Sequence, residues 1–173
     1  EESLKAFSRF SQDGVLPYGA GGPNTSFALI ATNYMRKYGA RREDFGKIAV
    51  SQRENALKNA NALFRTRLDL DTYMNARPIA APIHLYDCVM PCAGAEGFLI
   101  MREETAKAQG LPFARICASI ERHNAFSEDV VQERGGWAAD IGNLYAMAGL
   151  GLAQMDVLQT YDDYPFISMM QFE

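Results

Sequence analysis

Gly97-Phe98-Leu99-Ile100-Met101 is a short, continuous apolar run of the kind that a sheet buries on both faces. Glu103 to Gln109, ended by Gly110, can carry the chain back over that run as a helix, and Ala114-Arg115-Ile116-Cys117-Ala118-Ser119-Ile120 then reads as a second strand. Farther along, a helix is expected from about Asp140 to Ala148, closed by Gly149, followed by the strand Asp156-Val157-Leu158-Gln159-Thr160 and a last helix opening at Pro165. This β-α-β-α-β-α order predicts an α/β layer with a mixed or parallel sheet over residues 87–173. Ligands of such sheets collect outside the carboxyl ends of the strands, so functional weight falls on Thr160-Tyr161-Asp162-Asp163-Tyr164-Pro165.

Residues 1–86 have a different texture and read as a helical, loop-rich part joined to the second without a flexible linker. After the loop Pro17 to Pro23, Asn24-Thr25-Ser26 offers side-chain oxygens to cap a helix whose apolar stripe is Phe27, Ile30, Ala31, Tyr34 and Tyr38, with Gly39 as its stop. A second helix is expected from about Arg42, with Phe45, Ile48, Ala49, Gln52 and Ala56 at helical spacing, and the two should pack as a hairpin. From Asn59 to Pro82 regular order breaks down, apart from a short helical turn around Leu70 to Met74. A stretch of that length without regular structure is usually functional or tied down by something else.

The chain has 173 residues, 48% of them apolar and 22% charged, enough to build a core and incompatible with disorder, collagen or coiled coil. Seventeen basic residues against 21 acidic ones leave no positive surplus for a phosphate backbone, so nucleic acid is not the expected partner. No apolar run approaches the ~20 residues of a spanning helix, and the first residues lack the order of a signal peptide, so a soluble, cytoplasmic protein without a membrane span is expected. Cys88, Cys92 and Cys117 are an odd number, which fits free, packed thiols in a reducing compartment, with Cys117 buried in mid-strand. With only two histidines, His84 and His123, no zinc spacing and no nucleophile triad emerge, and both are read as satisfied polar residues. The glycines between Tyr18 and Pro23 follow neither the dinucleotide nor the P-loop pattern.

Two phenols and two carboxylates within four residues at a strand end can hydrogen-bond, shift one another's pKa and face a ligand. Tyr161 and Asp163 should point to one side of an extended stretch, Asp162 and Tyr164 to the other. The alternative is that Asp162 or Asp163 caps the final helix and the tyrosines pack.

Several stretches together resemble the thiolase superfamily, in its sterol-carrier-protein-like thiolase branch. They are Phe27 to Gly39, Ile48 to Ala56, Asn59-Ala60-Asn61-Ala62 with Phe64, Ala76 to Pro82, Tyr86-Asp87-Cys88 to Gly97, and Met155 to Asp162, in order over almost the whole chain. The resemblance implies a layered α/β/α/β/α sandwich that usually dimerises, in which residues 1–86 are the loop domain that covers the active site and contacts coenzyme A. It implies carbon–carbon bond formation or cleavage on acyl-coenzyme A thioesters, with coenzyme A as part of the substrate and no covalently bound cofactor or metal. Tyr161 then stands where relatives place an Asn or His in an oxyanion hole, which suits a retro-aldol variant in which a tyrosine serves as acid or base. Tyr161, Tyr164 and Asp162 are the catalytic-pocket candidates; no cofactor-binding residue is assigned.

The family's nucleophilic cysteine lies before the matched stretch and its Gly-His-Pro and Cys-Gly segments after it, so this chain resembles an internal portion and is expected to be inactive alone. The other readings are an aldolase-type lyase on a hydroxyacyl-coenzyme A, working with a small accessory subunit, and a non-catalytic lipid or acyl carrier or scaffold subunit.

Overall fold

The computed structural model describes residues 16–20, 22–123, 125–129, 131 and 133–173. They form two compact units, one made of the residues up to Val89 with 129–133 and 160–173, the other of 90–128 and 134–159.

In the first unit, α1 (Pro23–Tyr38) and α2 (Arg42–Leu57) form the expected helices. Gly39 closes α1 at φ 70°, a left-handed position open to a residue without Cβ, and its N–H reaches the Met35 carbonyl at 2.9 Å. The N-terminus of α1 corrects the expected cap: Gly22 occupies the N-cap without a side-chain bond, and Pro23, already fixed in φ, starts the helix just before Asn24-Thr25-Ser26. Asp44 caps α2 by accepting from the Arg41 N–H at 2.9 Å, and with Glu43 it puts negative charge at the positive end of the helix. The expected helical turn is α3 (Leu70–Met74), capped by Asp69. A short antiparallel pair follows, β1 (Pro78–Ala80) with β2 (Ile83–His84).

The last helix of the chain, α6 (Pro165–Phe172), packs on α2 in this unit. Phe166 sits 5.9 Å from the Phe45 ring and 5.6 Å from Tyr164, with Ala28, Ala31, Tyr34, Leu68 and Ile83 completing a buried cluster. Gly46 lets α3 approach α2, since a Cβ there would lie 2.6 Å from Leu70 and 2.7 Å from Tyr73 side-chain atoms. A buried polar node fastens the middle of the chain. The Tyr73 hydroxyl donates to the Asp87 carboxylate, which also accepts the His84 backbone N–H at 2.7 Å, while His84 Nδ1 bonds the Ala76 carbonyl at 2.7 Å. Burial pushes the Asp87 carboxyl above its ordinary value in spite of these donors. The irregular middle is thus tied down by its own polar side chains.

The second unit holds α4 (Glu103–Ala108) and α5 (Trp137–Ala148), the latter opening three residues before the expected Asp140 and ending at Gly149 as expected. Here the expected strands are corrected. Residues 97–101, 114–120 and 156–160 carry no ladder hydrogen bonds, and the two-stranded β1–β2 sheet is the sole sheet among the described residues. The architecture is mixed and mainly helical, without the layered sandwich. The physical reason is the lack of pairing neighbours: Phe98 to Met101 and Leu111 to Ile116 line a cavity of about 780 Å³ and share no ladder. Phe98 and Leu99 are 85% and 84% exposed, although their sequence asks for burial on both faces. Cys117, expected in a buried strand, is exposed for the same reason, and Cys92 is exposed as well; Cys88 is half-buried.

Candidate active site at the Thr160–Pro165 junction

The junction belongs wholly to the first unit and is held from α6. Ser168, fully buried, meets Thr160 Oγ1 at 2.9 Å, and Gln171 Nε2 donates to the Tyr161 carbonyl at 2.8 Å. With its backbone fixed, Tyr161 turns its ring outward, 76% exposed. The Asp163 carboxylate beside its phenol raises its pKa above the ordinary value, with Asp162 adding a second negative charge nearby. The alternation of side chains therefore pairs Tyr161 with Asp163 as the sequence suggests. Neither carboxylate caps α6, whose N-cap is Tyr164 without a side-chain bond.

Tyr164 goes the other way. Only 4% exposed, it packs 4.5 Å from the Phe27 ring, and burial pushes its hydroxyl above the ordinary pKa. That hydroxyl donates to Asn24 Oδ1 at 2.7 Å, and the same oxygen accepts from Cys88 Sγ at 3.6 Å. Asn24 entered the sequence reading only as a helix cap. No local signal marks it, because its partner lies 140 residues away. Neither of the two cavities described here is lined by Tyr161, Asp162 or Tyr164.

The first unit also has a cavity of about 280 Å³ between α2 and the following loop, lined by Gln52, Arg53, Phe64, Leu68 and Tyr86 among others. The Arg53 guanidinium lies 4.6 Å over the Phe64 ring and donates to the Thr66 carbonyl at 2.8 Å. Arg67, on the same loop, pairs with Glu54 at 2.7 Å. His84 is satisfied within the fold, and exposed His123 pairs with Glu121. Among the described residues no group of three or more His, Cys, Asp or Glu converges to hold a metal ion, and no helix is long and apolar enough to cross a membrane.

No family profile matches the chain. Among characterised proteins it is 30% identical to a steroid side-chain-cleaving aldolase of Thermomonospora curvata, over 92% of this chain and 43% of that protein. It is 33% identical to the 17-hydroxy-3-oxo-4-pregnene-20-carboxyl-CoA lyase of Mycobacterium tuberculosis, over 91% of this chain and 43% of the lyase. Sterol carrier protein 2 of Oryctolagus cuniculus matches at 23% identity over 85% of this chain and 28% of the carrier protein. The fold is similar to that of a solved Ltp2-ChsH2(DUF35) aldolase chain, with a TM-score of 0.72 at 23% identity, over 98% of this chain and 48% of that one. The chain spans less than half the length of these relatives. Its homologues are thiolase-superfamily proteins. They are like sterol carrier protein 2 and the thiolases, consistent with the branch that the sequence resembles.

Proposed function

We propose that the natural polypeptide carrying this chain processes acyl-coenzyme A thioesters by forming or breaking a carbon–carbon bond. The observation that supports this most is the match over nine-tenths of the chain to a protein named as a carboxyl-CoA lyase, with an exposed phenol–carboxylate pair at the junction. The relatives named aldolase and lyase, and a tyrosine at position 161, favour retro-aldol cleavage over thiolysis.

The chemistry is one of proton management. In a retro-aldol step a β-hydroxyl loses its proton, the Cα–Cβ bond breaks into a carbonyl, and the electron pair moves into the thioester as an enolate that is later protonated at Cα. A phenol with a raised pKa stays protonated at neutral pH, so Tyr161 is a poor phenolate base. Paired with Asp163 it can still relay: the phenolic oxygen takes the substrate proton while its own proton passes to the carboxylate, and the reverse transfer serves the enolate carbon. Asp162 adds a second negative charge beside this pair from the same turn, whereas Tyr164, packed inward, anchors the turn. Arg53 and Phe64, a cation over an apolar cavity, suit a ligand with an aromatic ring and anionic groups, as coenzyme A has. The proposal extends to the fold and assembly, in which the exposed segments 97–101, 114–120 and 156–160 become paired strands of a layered sandwich, in a homodimer or with a small accessory subunit.

The test is turnover of a β-hydroxyacyl-coenzyme A and of acetoacetyl-coenzyme A, with and without free coenzyme A. Cleavage without added coenzyme A supports the lyase reading, and cleavage that requires it supports thiolysis. Binding without turnover supports a carrier or scaffold. Tyr161→Phe is expected to lower turnover by roughly 10²- to 10⁴-fold with binding kept, and an unchanged rate removes Tyr161 from the chemistry.

A further inference from the structure

Gln171 closes a ring between the last helix and the junction that precedes it. Its Nε2 group donates to the Tyr161 carbonyl at 2.8 Å and to the Ile167 carbonyl at 3.1 Å, ten and four residues back along the chain. Both acceptors are carbonyl oxygens, so only the N–H end of the carboxamide can face them, and its orientation is set. One bond ties the side chain to its own helix and the other reaches off it. The helix α6 is anchored in turn: Pro165, Phe166 and Ser168 are buried, and the Phe166 ring lies 5.9 Å from Phe45 of α2. Gln171 therefore ties the backbone of exposed Tyr161 to the buried core. The Ser168 hydroxyl, which meets Thr160 Oγ1 at 2.9 Å, adds a second tether one residue earlier. At the far end of the turn, Tyr164 is fixed by its hydroxyl on Asn24 and its ring on Phe27.

Between these tethers lie the two residues whose side chains must stay together. Tyr161 and Asp163 face one way only while the peptide units that join them keep the extended alternation. The first of those units contains the Tyr161 carbonyl that Gln171 holds. Two residues of extended chain span at most ~7 Å, so rotating that one peptide unit is enough to swing the phenol away from the carboxylate. Fixing the unit in advance spares the pair a search for its working geometry in each turnover. We propose that Gln171 is a positioning residue for the Tyr161–Asp163 pair, holding the peptide unit between them so that phenol and carboxylate stay within reach of each other. Its effect on turnover rests on the acyl-coenzyme A reading above, and its effect on the phenol does not.

The experiment titrates the Tyr161 phenol by NMR in the natural polypeptide with ring-labelled tyrosine, using Tyr161→Phe to assign the signal. It also measures kcat and KM for a β-hydroxyacyl-coenzyme A on the same variants. Gln171→Met keeps the length of the side chain and removes both N–H donors. It is expected to bring the phenol pKa down toward the ordinary tyrosine value, because the Asp163 charge that raises it moves away. Asp163→Asn is expected to do the same and the double variant to go no further, the non-additivity of two residues that act through one contact. In Gln171→Met kcat is expected to fall roughly 10- to 10²-fold with KM unchanged. Gln171→Asn, one methylene too short to reach Tyr161, is expected to match it and carries the test if methionine disturbs the fold. A merely structural role would leave the phenol pKa where it is, or lower it further in the double variant, and either result overturns the inference. So does an unchanged kcat in Gln171→Met where Tyr161→Phe lowers it. A lowered phenol pKa with kcat untouched by Tyr161→Phe upholds the positioning role and overturns the catalytic reading of the pair.

Discussion

The two units use similar proportions of apolar residues and reach opposite ends. The first buries Tyr34, Phe45, Tyr73, Ile83, Tyr164 and Phe166 to 4% exposure or less. The second buries Ala106 as its only hydrophobic among the described residues and leaves Phe98, Leu99, Ile100, Ile116, Leu152, Val157 and Leu158 between 62% and 85% exposed. The difference is in how each kind of element finds its backbone partners. Helices satisfy their own hydrogen bonds and need only one apolar face covered, so α1, α2 and α6 close a core among themselves. A strand buried on both faces needs a neighbour on each edge and a layer on each side before its side chains leave water. Hydrophobicity says that a segment is to be buried, and only pairing says where.

The sharpest way to break this comparison is a pair of truncations. Phe166→Ala is expected to cost about 3–5 kcal/mol of the first unit's stability, while Phe98→Ala changes unfolding by less than ~0.5 kcal/mol. Denaturant titration of both variants checks this, and equal costs would mean that the second unit has a core of its own. Next in size, Tyr73→Phe removes one of the two hydrogen bonds to a buried carboxylate and is expected to cost about 1.5–3 kcal/mol. The pH dependence has a definite sign. Because burial raises the Asp87 carboxyl above 3.8, the folded chain holds that proton longer than the unfolded one. Its contribution to stability is fullest below the unfolded value and falls as pH rises through the folded one. Asp87→Asn is expected to flatten that slope in a series of urea midpoints.

Smaller again is Gly46→Ala, where the added methyl group meets Tyr73 and Leu70; about 1–3 kcal/mol of destabilisation is expected in thermal melts. Smallest is Lys37→Met, which removes the exposed partner of Glu133. The pair holds residue 133 to α1, yet the loss should stay under ~1 kcal/mol. Hydrogen exchange gives the comparison residue by residue: amides in α2 are expected to exchange slowly, and those of 97–101 and 114–118 near the rate of unstructured chain.

Much of the first unit was legible because its signals are local. Gly39 as a stop, Pro165 as a start and the stripe through Phe27, Ile30, Ala31 and Tyr34 all act within a few residues of themselves, as Gly149 does in the second unit. The cap at Asn24-Thr25-Ser26 misled because Pro23 was already able to open the helix, which freed Asn24 for a distant partner. The strands at 97–101, 114–120 and 156–160 were correct as statements of hydrophobicity and failed as statements of pairing. At the junction, the Tyr161–Asp163 contact followed from alternation. The Tyr73–Asp87 bond and the Asn24–Tyr164 bond did not, since nothing local distinguishes a buried hydroxyl from an exposed one.

The Asn24–Tyr164 bond also sets a timetable for biosynthesis. Residues up to Val89 emerge from the ribosome long before the segment that completes their core, and about 70 residues of unrelated texture intervene. At roughly 5–20 residues per second, α1 and α2 wait several seconds with Phe45 lacking its ring partner from α6. Slow codons inside that interval would lengthen the exposure of a half-made core, and a nascent-chain chaperone would find its longest-lived target on the helical face that Phe166 later covers.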